Sequence, residues 1–134
     1  MKHWVNKYIG QPWEARTHDC WGFFRNVQRD VFGRDVPAVD VTSYRAAAKA
    51  ALMANHPHRL AWQEITRAEL QDGDGVRMAS TGNPGHVGIW VDIDGGRVAH
   101  CDEPFGVMVH SLDRLADEYR DIRFYRFVGD ACQV

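Results

Sequence analysis

Cysteine is scarce in this chain: Cys20, Cys101 and Cys132 are the only three, and no two form a CxxC pair. A structural disulfide framework is therefore not expected. Long apolar runs are also missing, and no stretch approaches the length of a transmembrane helix. The opening Met-Lys-His-Trp-Val-Asn-Lys-Tyr lacks the apolar core of a secretion signal, so synthesis and folding in the cytoplasm are expected. Neither sign of charge dominates, with 16 Lys and Arg against 18 Asp and Glu and a formal net charge of −2. That balance gives no electrostatic reason to expect a nucleic-acid or anionic-membrane partner. Phosphate-cradling glycine loops, an HExxH helix, internal repeats and low-complexity segments are absent as well.

What remains is an ordinary globular composition, 45% hydrophobic and 25% charged, over 134 residues. The length suits one domain spanning residues 1–134. Five tryptophans call for a substantial core or an aromatic-lined groove. Residues Trp4 to Trp13 are aromatic and turn-rich. A helix is predicted from Cys20 to Phe32, with Gly33 as its left-handed stop. A second, alanine-rich helix is predicted over Tyr44 to Ala54, capped by Thr42 or Ser43. Leu60 to Leu70 is ambiguous, with a short helical turn over Ile65–Leu70. Beyond the turn Asp72-Gly73-Asp74-Gly75 the pattern becomes strand-like: Val76–Ala79, His86–Val91, Arg97–Cys101, Val107–Val109 and Ile122–Val128. A short helix capped by Ser111 precedes the last of these. Helices first and then an antiparallel meander of four or five strands is an α+β order.

The stretch Thr17-His18-Asp19-Cys20-Trp21-Gly22-Phe23-Phe24 carries the strongest chemical signal. Cys20, Phe23, Phe24, Val27 and Val31 follow helical periodicity, and Asp19 is a natural cap. Cys20 then falls in the first turn, beside free N–H groups and the positive end of the helix dipole. That environment favours a thiolate nucleophile. A buried cysteine can equally be a small hydrophobe, so the reading depends on finding a base and a group to orient it.

Seven histidines are available. His86 and His100 occupy the two strands of one predicted hairpin, where an unpaired imidazole would be costly. A register centred on Ile93 would set them directly opposite each other on one face, whereas a two-residue turn at Asp94-Gly95 would place them on opposite faces. Their pairing thus requires an odd-numbered loop or a bulge. His3, His56, His58 and His110 have weaker contexts, and a surface or substrate-facing role is expected of His18. Cys101, alternating with His100, is expected in the core. A zinc ion on Cys20, His86 and His100 is the rival chemistry, although short metal-ligand spacings are absent.

These pieces resemble the NlpC-type cell-wall peptidases, papain-like cysteine enzymes, and more narrowly their branch in phages and phage-like particles. The resemblance runs through Tyr8-Ile9-Gly10-Gln11-Pro12-Trp13, Asp19-Cys20-Trp21-Gly22-Phe23, Asp72-Gly73-Asp74-Gly75-Val76, Gly85-His86-Val87-Gly88-Ile89, Val98-Ala99-His100, Gly106-Val107-Met108-Val109 and Tyr125-Arg126-Phe127. It implies a papain-like fold in which an N-terminal helical part carries the nucleophile against the antiparallel sheet. It further implies Cys20 as nucleophile, His86 as base and later acid, and His100 as the orienting imidazole, with no metal or organic cofactor. The implied reaction is hydrolysis of amide bonds in peptidoglycan stem peptides, commonly between D-glutamate and the diamino acid. The family's aromatic site residue falls on Tyr8 by separation from Cys20, or on Trp13 by the local Gly-x-Pro-aromatic pattern. Relatives carry glycines where the segment from Trp13 to Asp19 has none, and Val36–Leu70 is a longer connection than the family minimum.

The resulting expectation is a cysteine peptidase acting on cell-wall peptides as part of a phage tail or tail-like particle, with tail proteins as partners. Two alternatives keep the fold: an amidase or acyltransferase on another acyl group, and a tail-assembly or binding module without turnover.

Overall fold

The structure, a computed structural model, describes residues 3–15, 17–36, 62–80 and 85–128. The helix expected over Tyr44–Ala54 and Cys132 lie outside the described residues. Helix α1 spans Cys20–Phe32 and stops at Gly33, whose φ is 67°. The Gly33 N–H donates to the Arg29 carbonyl at 3.2 Å and the Arg34 N–H to that of Gln28 at 2.9 Å, closing the last turn.

Among the described residues six antiparallel strands follow: β1 (Trp62–Ile65), β2 (Gly75–Ala79), β3 (His86–Val91), β4 (Arg97–Asp102), β5 (Gly106–His110) and β6 (Asp121–Phe127). Helix α2 (Leu112–Glu118) lies between β5 and β6 and is capped by the Ser111 side chain. The spatial order is β1-β6-β2-β3-β4-β5, so the chain's last strand inserts between the first two. The sheet has one strand more than the meander expected from sequence. The extra one, β1, comes from the ambiguous 60–70 stretch. Its two middle residues, Gln63 and Glu64, are exposed, so it shows no alternation and exists through its pairing with β6. The helical turn predicted there contracts to a 3-10 turn at Arg67–Glu69.

Both faces of the sheet are covered. Val87, Ile89, Val91, Ala99, Cys101 and Val107 pack with Phe23, Phe24 and Val27 of α1 and with Val5 and Tyr8 from the N-terminal segment. Val76, Met78, Trp90 and Val98 pack on the other side with Leu112 and Leu115 of α2 and with Tyr119. Every residue of β3 is buried, as befits the central strand of a three-layer arrangement. Among the described residues, no helix is long and apolar enough to cross a membrane.

The turn at Asp72–Gly75 ties the layers together. Asp72 accepts from the Trp4 indole N–H at 2.8 Å and from the Asp92 backbone N–H at 2.9 Å. The Gln28 amide of α1 donates to the Gly73 carbonyl at 3.0 Å. Buried Asp74 is paired with Arg126 of β6 at 2.9 Å.

The β3–β4 hairpin closes through the five-residue loop Asp92–Gly96. Its register is centred on Asp94, with Gly88 opposite His100 and Val91 opposite Arg97. The odd-numbered loop supplies the parity that a shared face for His86 and His100 requires. Their pairing is diagonal, because the register is centred on Asp94 and not on Ile93, where the two residues would stand directly opposite. At Gly88 the two strands approach so closely that a Cβ would come within 2.7 Å of Val98 Cγ1 and 2.8 Å of the Ala99 carbonyl oxygen. Gly88→Ala is accordingly expected to lower the unfolding free energy by about 1–3 kcal/mol, the usual cost of overpacking. Urea denaturation measures it.

Candidate active site

Cys20 is the first residue of α1, and Asp19 is its N-cap: the Asp19 carboxylate accepts the Gly22 N–H at 2.8 Å. Asp19 thus holds the helix start and the sulfur's backbone in place. Gly22 is required on the same turn, since a Cβ there would lie 2.6 Å from the Thr17 carbonyl oxygen. The Cys20 Sγ is buried and lies 4.0 Å from the carbonyl oxygen of Gly85, the residue before β3. The nucleophile candidate and the start of the histidine-bearing strand are therefore neighbours.

His86 opens β3 and His100 lies within β4, both almost fully buried, at 3% and 1% exposure. His86 Nε2 and His100 Nδ1 are 2.9 Å apart with the rings near perpendicular, at 85°. The far face of the His86 ring is backed by Tyr119, stacked at 5.8 Å between centroids and 9° between planes. One partner fixes the ring's hydrogen-bonding edge and the other its plane.

The row does not end at His100. Its Nε2 lies 2.9 Å from Nδ1 of His110, the last residue of β5. Sequence context ranked His110 among the weaker histidines. The structure instead makes it the third imidazole of a row crossing β3, β4 and β5. The parity argument used for the first hairpin could have found it, since β4 and β5 are joined by the three-residue turn 103–105 and pair Val98 with His110. Tyr119 had no such signal, because its contact with His86 arises from the packing of α2 across the sheet.

Burial depresses the His100 pKa from 6.5 to about 3, with further lowering from His86, His110 and Arg114. His100 is thus a neutral imidazole at working pH. His110, nearer the surface, is also lowered, first by burial and then by Arg114. The Cys101 thiol is pushed up to about 12 by burial. Its side chain faces the α1 layer, as expected of a core residue.

The remaining candidates are placed as follows. Tyr8 is buried in the α1-side core, edge-on to Phe23 at 5.9 Å, with its hydroxyl buried and, among the described residues, lacking a hydrogen-bond partner. Trp13 is half-buried against the same cluster, which also holds Cys20. His18, expected toward surface or substrate, contacts the Pro12 carbonyl at 2.7 Å and the Gln11 amide oxygen at 3.0 Å. It clamps the N-terminal segment. Ligand atoms of His86, His100 and Asp102 lie within 4.8 Å of one another, a spacing that could hold a cation. Both nitrogens of His100 already engage neighbouring imidazoles at 2.9 Å, so this chemistry is that of a hydrogen-bonded row.

A cysteine at a helix start, next to an antiparallel sheet whose strands carry hydrogen-bonded imidazoles, defines a papain-like α+β fold. The NlpC/P60 family matches residues 7–122, and the chain belongs to that family. A solved structure, the NlpC/p60 domain of the peptidoglycan hydrolase SagA, aligns at 28% identity over 90% of each chain with a TM-score of 0.60. No curated protein matches the chain.

Two predictions follow from this electrostatic arrangement. Iodoacetamide at neutral pH should modify Cys20 at least about tenfold faster than Cys101, whose raised pKa leaves almost no thiolate. Peptide mass mapping reads the ratio. The second concerns stability. Between about 3 and 6.5 the unfolded chain carries a proton on this histidine that the folded protein does not. The His100 contribution is therefore complete above 6.5 and is lost as pH falls toward 3. Wild type should lose more stability over that window than His100→Asn, as measured by urea denaturation at stepped pH.

Proposed function

We propose that the protein is a cysteine peptidase of cell-wall peptides, with Cys20 as nucleophile, His86 as base and then acid, and His100 as the residue that orients His86. The observation that carries this reading is the 2.9 Å His86–His100 hydrogen bond at the start of the strand whose preceding carbonyl lies beside Cys20 Sγ. Membership of the NlpC/P60 family and the likeness to a peptidoglycan hydrolase domain support the substrate class.

In this mechanism His86 Nε2 is committed to His100, so Nδ1 is the nitrogen that serves the thiol. The Cys20 thiolate attacks the peptide carbonyl, and the oxyanion is held by backbone N–H groups at the start of α1. His86 Nδ1–H then protonates the departing amine. The same nitrogen next takes a proton from water as it attacks the thioester, releasing the carboxylate and restoring Cys20. Tyr8 or Trp13 supplies the aromatic wall. The scissile bond on this reading joins D-glutamate to the diamino acid of the stem peptide.

The narrower form of the proposal places the enzyme in a phage tail or phage-like particle, acting at the cell wall with tail proteins as partners. It rests on the resemblance of the Tyr8–Trp13, Asp19–Phe23 and Gly85–Ile89 segments to that branch.

Purified peptidoglycan digested with wild type and with Cys20→Ala, and read by mass spectrometry, tests the assignment. Wild type should release stem-peptide fragments with a new D-glutamyl carboxyl end. Cys20→Ala should be slower by a factor on the order of 10³ or more. Equal products from both proteins, or none from either, would remove the hydrolase reading and favour an assembly or binding role.

A further inference from the structure

We propose that His110 is a positioning residue, the terminal acceptor that sets the proton order of the whole row so that His86 can act as a base. The inference rests on the Cys20–His86–His100 reading and goes beyond it by one residue.

The argument is a count of hydrogens. A neutral imidazole has one N–H and one acceptor nitrogen. Two bonds of 2.9 Å link three rings, and each needs one hydrogen between its nitrogens. Only two orders satisfy both bonds while His100 is neutral. In the outward order His86 Nε2–H donates to His100 Nδ1, and His100 Nε2–H donates to His110 Nδ1. His86 Nδ1 then has its lone pair available for the thiol proton, and His86 can become an imidazolium without disturbing either bond. In the inward order His110 Nδ1–H donates to His100 Nε2, and His100 Nδ1–H donates to His86 Nε2. A neutral His86 would then carry its only hydrogen on Nδ1 and could not accept a proton there.

The outward order requires an acceptor at His110 Nδ1, and His100 is too buried to find one in solvent. Protonating His110 puts a second donor against His100 Nε2–H and forces the inward order. His110 is surrounded by His100 and Asp102 of β4 and by Arg114 and Glu118 of α2. Burial and Arg114 keep it neutral, while Glu118 and Asp102 act in the opposite sense. Arg114 is exposed and lies outside the row, so it can tune His110 without touching the reacting atoms.

Two measurements test the proposal. Imidazole nitrogen NMR of the wild-type protein at neutral pH should find the hydrogen on Nε2 in both His100 and His110. A hydrogen on Nδ1 of either would overturn it. In peptidoglycan digestion, His110→Asn keeps an acceptor that does not titrate and should stay within about threefold of wild-type kcat. His110→Leu removes the acceptor and should lower kcat by about tenfold or more with KM within about twofold, the pattern of a lost proton-transfer geometry. The acid limb of the kcat profile should lose one ionisation in His110→Asn and move to higher pH in Arg114→Gln. Leu and wild type with equal kcat throughout the pH range would overturn the inference. A wild type without hydrolytic activity would sink the proposed function alone, and the nitrogen shifts would still decide this one.

Discussion

A hydrogen bond between two buried imidazoles demands a shared sheet face, a matched separation and complementary tautomers, all at once. The His86–His100 pair meets the first two through backbone geometry. The five-residue loop Asp92–Gly96 gives the hairpin its parity, and the sheet fixes the diagonal spacing. Gly88, where a Cβ would clash with Val98 and the Ala99 carbonyl, lets the strands approach closely at the very level of the pair. Because β3 is buried on both faces, its register is among the most strongly specified features of the molecule.

The site lies where two separate packing layers meet. Val87, Ile89 and Val91 face α1, while Trp90 faces α2, and His86 stacks on Tyr119 at the end of α2. Cys20 belongs to the α1 layer and lies beside Gly85, the residue before β3. The Asp72–Gly75 turn holds these layers in register, through Gln28 on one side and Trp4 on the other. Buried Asp74, paired with Arg126, then ties the turn to β6. Cys20 and the imidazole row are thus mounted on different elements, with the geometry between them maintained by polar contacts well away from either.

Local signals were legible in sequence. The cap, periodicity and glycine stop of α1 act within a dozen residues and needed no tertiary information. The hairpin strands and the expected core role of Cys101 followed from period-two alternation, which made the association of His86 with His100 conditional on an odd-numbered loop or a bulge. What escaped depended on distant parts of the chain. The strand β1 has no alternation of its own and is created by its pairing with β6. The centre of the hairpin was left open in sequence, because loop conformation, with Asp94 and both glycines in the left-handed region, decides it. His110, ranked among the weaker histidines, could have been found by the same parity rule applied to the next turn, but Tyr119 required knowing where α2 packs.

The row of imidazoles also has a consequence for how the site forms. Cys20 lies 65 residues from Gly85, and the imidazole pairs are themselves 14 and 10 residues apart. No single helix or hairpin holds the whole arrangement, so thiol and imidazoles come together only when α1, β3, β4 and β5 have packed. Local opening of any one of these elements would take the arrangement apart.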